Sequence, residues 1–147
     1  MIKRVDKEIS EALKGGDKKR ANALKMLKNA LMVAEKNKAE KLSEEETFKI
    51  IRKEINMRIE SRDLYAENNR QELADNEEYE RSLFSQYLPT DLSQAQLEEI
   101  IDKNIKLLSD EPKFSELMPA VMKEVSGRAD GRMVVDLVRK SLEMNNK

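Results

Sequence analysis

The sequence predicts an all-α protein: an elongated N-terminal helical bundle with a long antiparallel hairpin, followed by a small three-helix domain. Charged residues make up 39% of the 147 residues, and Lys, Glu and Arg are good helix formers. Apolar residues recur at spacings of three and four, as in an amphipathic helix, and no stretch alternates like a half-buried strand. Because proline disfavours helix in the residue before it, we expect a boundary between residues 1–89 and 90–147.

The first two helices are predicted near residues 2–14 and 18–38. Gly15 and Gly16 end the first, and Asp17 is a good N-cap for the second. The predicted apolar stripes are Ile2, Val5, Ile9 and Leu13 in the first helix and Leu24, Leu27, Leu31 and Ala34 in the second.

A capping box, Ser43 with Glu46, predicts the start of a third helix that runs to about Glu67. The polar segment 68–70 breaks it, and a fourth helix follows near 71–87. Two helices joined by a short polar loop are typical of an antiparallel hairpin. Their predicted stripes are Phe48, Ile51, Ile55 and Ile59 in the third helix and Leu73, Leu83, Phe84 and Tyr87 in the fourth.

Three helices are predicted after Pro89. Ser93 with Gln96 opens the fifth helix, a sixth covers about 115–126 with Pro119 in or just inside its first turn, and the seventh begins at Gly131. Their predicted apolar residues are Leu97, Ile100, Ile101, Ile105, Leu108, Leu117, Val121, Met122, Val125, Val134, Leu137, Val138 and Leu142.

The composition excludes several classes of site. The chain has no cysteine and no histidine, which excludes disulfides, thiolate catalysis, Cys/His zinc sites and histidine general bases. No run of 18 apolar residues is present, and the first ten residues lack the apolar core of a signal peptide. We therefore expect a cytoplasmic protein without a membrane span, metal or cofactor.

Charge is unevenly distributed although the net charge is only −1. Residues 1–41 carry 12 basic and 6 acidic residues, whereas residues 42–88 carry 7 and 12. The segment "KGGDKKRANALKMLKNAL", residues 14–31, is either a solvated helix face or a basic strip that meets phosphate.

The stretch "SGRADGRMVV", residues 126–135, contains two of the four glycines in the chain. Gly127 occupies the place of a left-handed residue after the sixth helix, and Asp130 that of an N-cap for the seventh. Gly131 has no capping role, which indicates the close approach of another backbone or of a ligand. Arg128 has no helical role, so Arg128, Gly131 and Arg132 are interpreted as functional.

Four ordered blocks resemble the GatB/YqeY family. They are "RANALKMLKNAL" at 20–31, "RIESRDLYAENNRQELADNEEYE" at 58–80, "YLPTDLSQAQLEEII" at 87–101 and "VSGRADGRMVVDLVRKSL" at 125–142. The resemblance covers nearly the whole chain and is closest to the free-standing YqeY-like proteins.

The resemblance implies a helical N-terminal half and a C-terminal domain similar to the tail of GatB, a subunit of the amidotransferase that converts glutamate on its tRNA into glutamine. A similar module is appended to some glutaminyl-tRNA synthetases. In these settings the tail helps to hold tRNA and performs no chemistry. The family's turn, Gly-Lys/Arg-Ala-Asn/Asp-Pro/Gly followed by Lys or Arg, matches residues 127–132. The expected tRNA-binding residues are Gly127, Arg128, Gly131 and Arg132, with Lys123, Arg139 and Lys140 as further candidates.

Two other functions are compatible with the sequence. A protein–protein adaptor would dock partners on the hairpin, for example through Arg58, Arg62 and Tyr65, although these arginines with Arg70 and Arg81 more simply join the two hairpin helices. An amidotransferase in its own right is the weaker alternative, because the chain lacks a Gly/Ser-rich amidase signature and the β-rich catalytic part of GatB. The three tyrosines, Tyr65, Tyr79 and Tyr87, are expected to be partly buried.

Overall fold

The computed structural model describes residues 1–108, 110–125 and 127–145, and within these residues the chain is all α-helical. The fold class predicted from the sequence is confirmed. Contacts divide the chain into an N-terminal unit, Met1–Leu88, and a C-terminal unit, Pro89–Lys147. The helices are α1 Ile2–Lys14, α2 Lys18–Lys38, α3 Glu44–Glu67, α4 Gln71–Ser85, α5 Gln94–Leu108, α6 Phe114–Val125 and α7 Gly131–Asn145.

Local capping explains where three of these helices begin. Asp17 accepts the backbone N–H of Arg20 at 3.1 Å at the start of α2. At α3, the Ser43 hydroxyl accepts the N–H of Glu46 at 3.1 Å, and the Glu46 carboxylate accepts the N–H of Ser43 at 3.2 Å. Ser93 makes the same reciprocal pair of bonds with residue 96 before α5. The predicted caps are therefore confirmed.

The core of the N-terminal unit lies where α1, α2, α3 and the end of α4 meet. Leu24, Leu27 and Leu31 of α2 are fully buried there. Two predicted core residues are wrong: Leu13 and Leu73 are exposed. The neighbouring alanines at positions 12 and 74 are buried in their place.

The α3–α4 hairpin is joined by ion pairs. Arg58 Nε donates to Glu80 at 3.1 Å across the hairpin, and its guanidinium also pairs with Glu54 one turn back. The same guanidinium lies 5.0 Å from the centroid of the Phe84 ring. Arg58 is only 7% exposed, so it holds the hairpin together and is not available to dock a partner.

A second set of charges follows towards the hairpin turn. Glu78 of α4 accepts from Arg62 of α3 at 2.6 Å and from Arg81 at 2.6 Å. The bonds from Arg81 and Arg62 hold the pKa of the Glu78 carboxyl at about 2. The prediction that the hairpin arginines join its helices is confirmed for Arg58 and Arg62; Arg81 pairs with Glu78 of its own helix, and Arg70 forms no ion pair among the described residues.

The three tyrosines all belong to the N-terminal unit. Tyr87 is buried, donates its hydroxyl to Glu8 of α1, and lies under the guanidinium of Arg4 at 4.7 Å from the ring centroid. Tyr65 and Tyr79 are half-buried, so the predicted burial is confirmed. The fourth helix ends at Ser85, before Tyr87, because the last residues continue in a tighter turn.

The C-terminal unit packs α5, α6 and α7 around one small core. Leu108, predicted in this core, is 41% exposed at the end of α5. Pro119 is the sixth residue of α6 and so lies in its second turn. Ser126, the predicted last residue of this helix, lies outside the described residues. The buried apolar residues are Leu97, Ile101, Leu117, Val121, Val125, Ala129, Val134, Leu137 and Val138.

Among the described residues, no helix combines the length and the apolar character needed to cross a membrane.

Candidate nucleic-acid interface

The turn between α6 and α7 adopts the conformation that its sequence predicts. Gly127 has a φ of 78°, in the left-handed region that glycine enters at little cost. The Arg128 N–H donates to the carbonyl of Val125 at 3.1 Å. Asp130 caps α7, because its Oδ1 accepts the backbone N–H of Arg132 at 2.9 Å. The structural roles predicted for Gly127 and Asp130 are confirmed.

Arg128 also makes contacts that local sequence patterns do not reveal. Its Nε donates to the carbonyl of Thr90 at 3.3 Å, 38 residues earlier in the chain. Its own carbonyl accepts the N–H of Leu92 at 2.8 Å. The two blocks quoted above for their family resemblance, 87–101 and 125–142, therefore meet at Arg128. The residue as a whole stays exposed, so it anchors the turn and still presents positive charge to solvent.

Arg132 and Gly131 lie side by side at the start of α7. Arg132 is exposed, and its guanidinium has no ion-pair partner in the part of the chain that the structure describes. A Cβ added at Gly131 would point into open space, so the expected approach of another backbone is wrong for the described residues, and the approach of a ligand stays a prediction. With Met118, Val135 and Asp136, these two residues line an open depression of about 480 Å³.

The three weaker candidates are spread over two helices. Lys123 is exposed near the end of α6, and Arg139 and Lys140 are exposed on α7. The Arg139 guanidinium lies 5.4 Å from the centroid of the Phe114 ring, which engages part of its charge within the fold. Arg132 and Arg139 are two helical turns apart, so they share one face of α7 at about 10 Å along the axis.

Acidic residues interrupt this positive face. Asp136 follows Arg132 by four residues, and Glu143 follows Arg139 by four, so both acids lie on the same exposed face of α7. The structure thus brings Arg128, Gly131 and Arg132 together in one turn. It does not extend them into a continuous basic surface along the helix.

The basic segment 14–31 uses some of its cations within the N-terminal unit. The Lys19 ammonium lies 4.3 Å from the centroid of the Tyr79 ring, and Lys28 forms an ion pair with Asp6 of α1. Some cations of the segment therefore contribute to contacts within the unit, and contact of the segment with phosphate stays a prediction. Its exposed lysines, without a side-chain partner among the described residues, are Lys14, Lys18 and Lys25.

Ion pairs explain the carboxyl groups whose pKa is lowered. Glu124 of α6 accepts from Lys103 of α5 at 2.8 Å, and this bond lowers its pKa. In the N-terminal unit, the bond from Lys38, helped by the cap, holds the pKa of Glu46 at about 2. Within the described residues, no three acidic side chains lie close enough together to hold a metal ion.

A family model described as Yqey-like protein matches residues 2–142, almost the whole chain. The chain belongs to the YqeY-like family. The match covers the N-terminal unit and the α6–α7 turn of the C-terminal unit together, so the family prediction made from the four blocks is confirmed. The relation of this YqeY-like chain to the GatB tail stays a prediction. No curated protein matches the chain.

Proposed function

We propose that this YqeY-like protein binds tRNA through the α6–α7 turn, as an accessory to aminoacyl-tRNA amidation and without a catalytic site of its own. The observation that carries this proposal is the pairing of two exposed arginines, Arg128 and Arg132, in one short turn at the start of α7. A left-handed Gly127 and the bonds to residues 90 and 92 hold the turn in place.

This arrangement suits a phosphate group. The first backbone N–H groups of a helix point outward at its positive end, and guanidinium groups bind phosphate through paired hydrogen bonds. Gly131 leaves open space beside these groups, so a sugar–phosphate backbone has room to approach. The Asp130 carboxylate accepts a backbone N–H at the start of α7, so its negative charge interacts with the cap.

We expect the affinity for tRNA to be modest and strongly dependent on salt. The net charge of the chain is −1, and Asp136 lies on the same face of α7 as Arg132, so long-range attraction to nucleic acid is weak. Binding then depends on a few phosphate contacts, each of which releases counterions from the tRNA.

The test is fluorescence anisotropy of labelled, unfractionated tRNA titrated with the protein over a series of salt concentrations. Wild type is compared with Arg132→Ala and with the Arg128→Ala/Arg132→Ala double variant. Each lost phosphate contact should weaken binding. It should also reduce by about 1 the slope of the logarithm of the binding constant against the logarithm of the salt concentration. Circular dichroism checks that the Arg128 variant, which loses its bond to Thr90, keeps its helical content.

The matched control is Lys106→Ala/Lys113→Ala, which removes two exposed positive charges from the same unit, away from the turn. Equal losses in the two double variants would mean that total charge, and not the turn, governs binding. Absence of tRNA binding at low salt contradicts the proposal for the isolated protein. A protein adaptor then becomes the better account, since exposed apolar side chains such as Leu64 and Leu73 remain on the hairpin.

A further inference from the structure

Helix α3 has an apolar stripe that packs against the core of its own unit only at its first residue, Ile50. Ile50, Met57 and Leu64 are spaced by seven residues, so they follow one line along the helix with a drift of about 20° per step. Ile50 is half-buried, whereas Met57 is 47% and Leu64 is 59% exposed. We call these three residues the α3 stripe. At 1.5 Å per residue it is about 21 Å long.

A groove adjoins the Ile50 end of the stripe. It has a volume of about 490 Å³ and lies between α2 and α3, with Met26 and Val33 of α2 among its lining residues. Both side chains are 48% exposed. The described N-terminal unit thus presents apolar side chains in the groove, and two further exposed ones, Met57 and Leu64, along α3 towards the hairpin turn.

We propose that the α3 stripe is a self-association surface, on which the α3 helix of a second copy lies antiparallel with the two-fold axis at Met57. The spacing makes the stripe self-complementary: Ile50 of one copy then faces Leu64 of the other, and the two Met57 side chains face each other. A two-fold interface uses the same surface of both copies, so each contact away from the axis occurs twice.

Charges beside the stripe support this pairing. In an antiparallel helix pair, side chains on the same flank of the two stripes face each other across the interface. Lys53 and Glu60 lie on one flank of the α3 stripe, and the axis at Met57 places Lys53 of one copy beside Glu60 of the other. Both residues lack an ion-pair partner among the described residues.

The same orientation matches the charge distribution of the whole N-terminal unit. The groove lies against basic α2, whose exposed face carries Lys25 and Lys36 without an acidic neighbour exposed on that helix. The antiparallel copy brings the other half of its α3 towards this side, with Glu67 and with Asp63, which also accepts from Arg62 of its own copy. Opposite charges then meet at both ends of the interface, and a net charge of −1 opposes association little.

The experiment is sedimentation velocity of the full chain over roughly a hundredfold range of protein concentration, because association is a mass-action equilibrium. We expect the average mass of the wild type to rise from 17.0 kDa towards twice that value. Met57→Glu places two carboxylates against each other on the axis and should weaken association by at least about tenfold.

The matched control is Met32→Glu, a methionine of α2 that is 50% exposed against 47% for Met57 and lies outside the groove lining and the stripe. It should associate like the wild type. Circular dichroism and thermal unfolding check that both variants fold, since an exposed substitution typically changes stability by no more than about 0.5 kcal/mol.

A charge exchange tests the orientation. Lys53→Glu and Glu60→Lys should each weaken association, and the double variant should restore it, because the exchanged pair is again complementary in the second copy. A wild type that stays at 17.0 kDa at every concentration overturns the proposal and leaves the stripe to another protein or to nucleic acid. Association that Met32→Glu weakens as much as Met57→Glu, or that the double variant fails to restore, also overturns it.

Discussion

At the scale of single residues, Arg58 is the most buried charged residue among those described in the N-terminal unit. Its side chain is 8% exposed, and those of its two partners, Glu54 and Glu80, are 17% and 11% exposed. Removing the cation leaves two carboxylates in a poorly hydrated site. We expect Arg58→Ala to lower the free energy of unfolding by about 3–5 kcal/mol, measured by urea denaturation.

Arg62→Ala is the matched control for that prediction. It breaks a pair with Glu78 on the same hairpin, but its side chain is 33% exposed and water replaces the lost contact. The expected loss is about 0–1 kcal/mol. Similar losses in both variants would show that burial of Arg58 adds nothing to the strength of its ion pairs.

Glu78 makes the stability of the hairpin depend on pH. Its pKa of about 2 in the folded state lies below the ordinary value of 4.5. A carboxyl with a lowered pKa stabilises the folded state above its unfolded pKa, and this contribution is lost as pH falls from about 4.5 to about 2. The thermal midpoint of Glu78→Gln should therefore lie below that of the wild type at neutral pH and approach it near pH 2.

Glu72→Gln is the control for this pH dependence, since Glu72 is exposed on the same helix without an ion pair among the described residues. Because Glu72 lies in the first turn of α4, its variant should lose only the helix-dipole contribution of about 0.3–1 kcal/mol at neutral pH. A difference between Glu78→Gln and wild type that stays constant from neutral to acid pH would contradict the assignment.

The roles of single residues were predictable where they depend on neighbours in the sequence. Gly127 and Asp130 act on residues within four positions of themselves, and their roles followed from capping rules. The bond from Arg128 to Thr90 spans 38 residues, and no local pattern encodes which distant carbonyl an arginine will reach.

At the scale of elements, Pro119 is the least favourable residue in its helix. As the sixth residue of α6 it has no N–H to donate to the carbonyl of Ser115, four residues earlier. Because Pro119 is exposed, replacing it creates no cavity. Pro119→Ala should raise the thermal midpoint and increase the free energy of unfolding by up to about 3 kcal/mol.

The comparison for Pro119→Ala is Glu116→Ala, another exposed position of α6. This change should alter the free energy of unfolding by no more than about 0.5 kcal/mol. A lower midpoint for Pro119→Ala would mean that the proline ring makes a favourable contact that outweighs the missing hydrogen bond.

Helix positions were predictable to within about two residues because caps and breaks are local signals. The apolar stripes were predicted less well at helix ends, where Leu13 and Leu108 are exposed. Periodicity shows which residues share a face, but it does not show how far along that face a neighbouring helix continues. The latter depends on the length and placement of a partner elsewhere in the chain.

At the scale of the whole molecule, each unit has a separate core. Leu117 is fully buried in the C-terminal unit, and truncating a buried leucine costs about 2–5 kcal/mol. Leu117→Ala should therefore increase amide hydrogen exchange in α5, α6 and α7 and leave exchange in α1–α4 unchanged. Mass spectrometry of peptic fragments measures both.

Leu107→Ala, at a 71% exposed position of α5, is the control and should leave exchange as in the wild type. Faster exchange throughout α1–α4 in Leu117→Ala would show that the two cores unfold together.

The sequence predicted an all-helical chain, but the occupant of an exposed face such as that of Met57 depends on a second molecule. A single sequence does not specify that molecule.

The placement of the tyrosines gives the protein a built-in optical reporter. The chain has three tyrosines and no tryptophan, and all three tyrosines belong to the N-terminal unit. Tyrosine fluorescence therefore monitors that unit alone, whereas far-ultraviolet circular dichroism records helices of both units. Following one denaturant titration with both signals resolves the unfolding of each unit without any label.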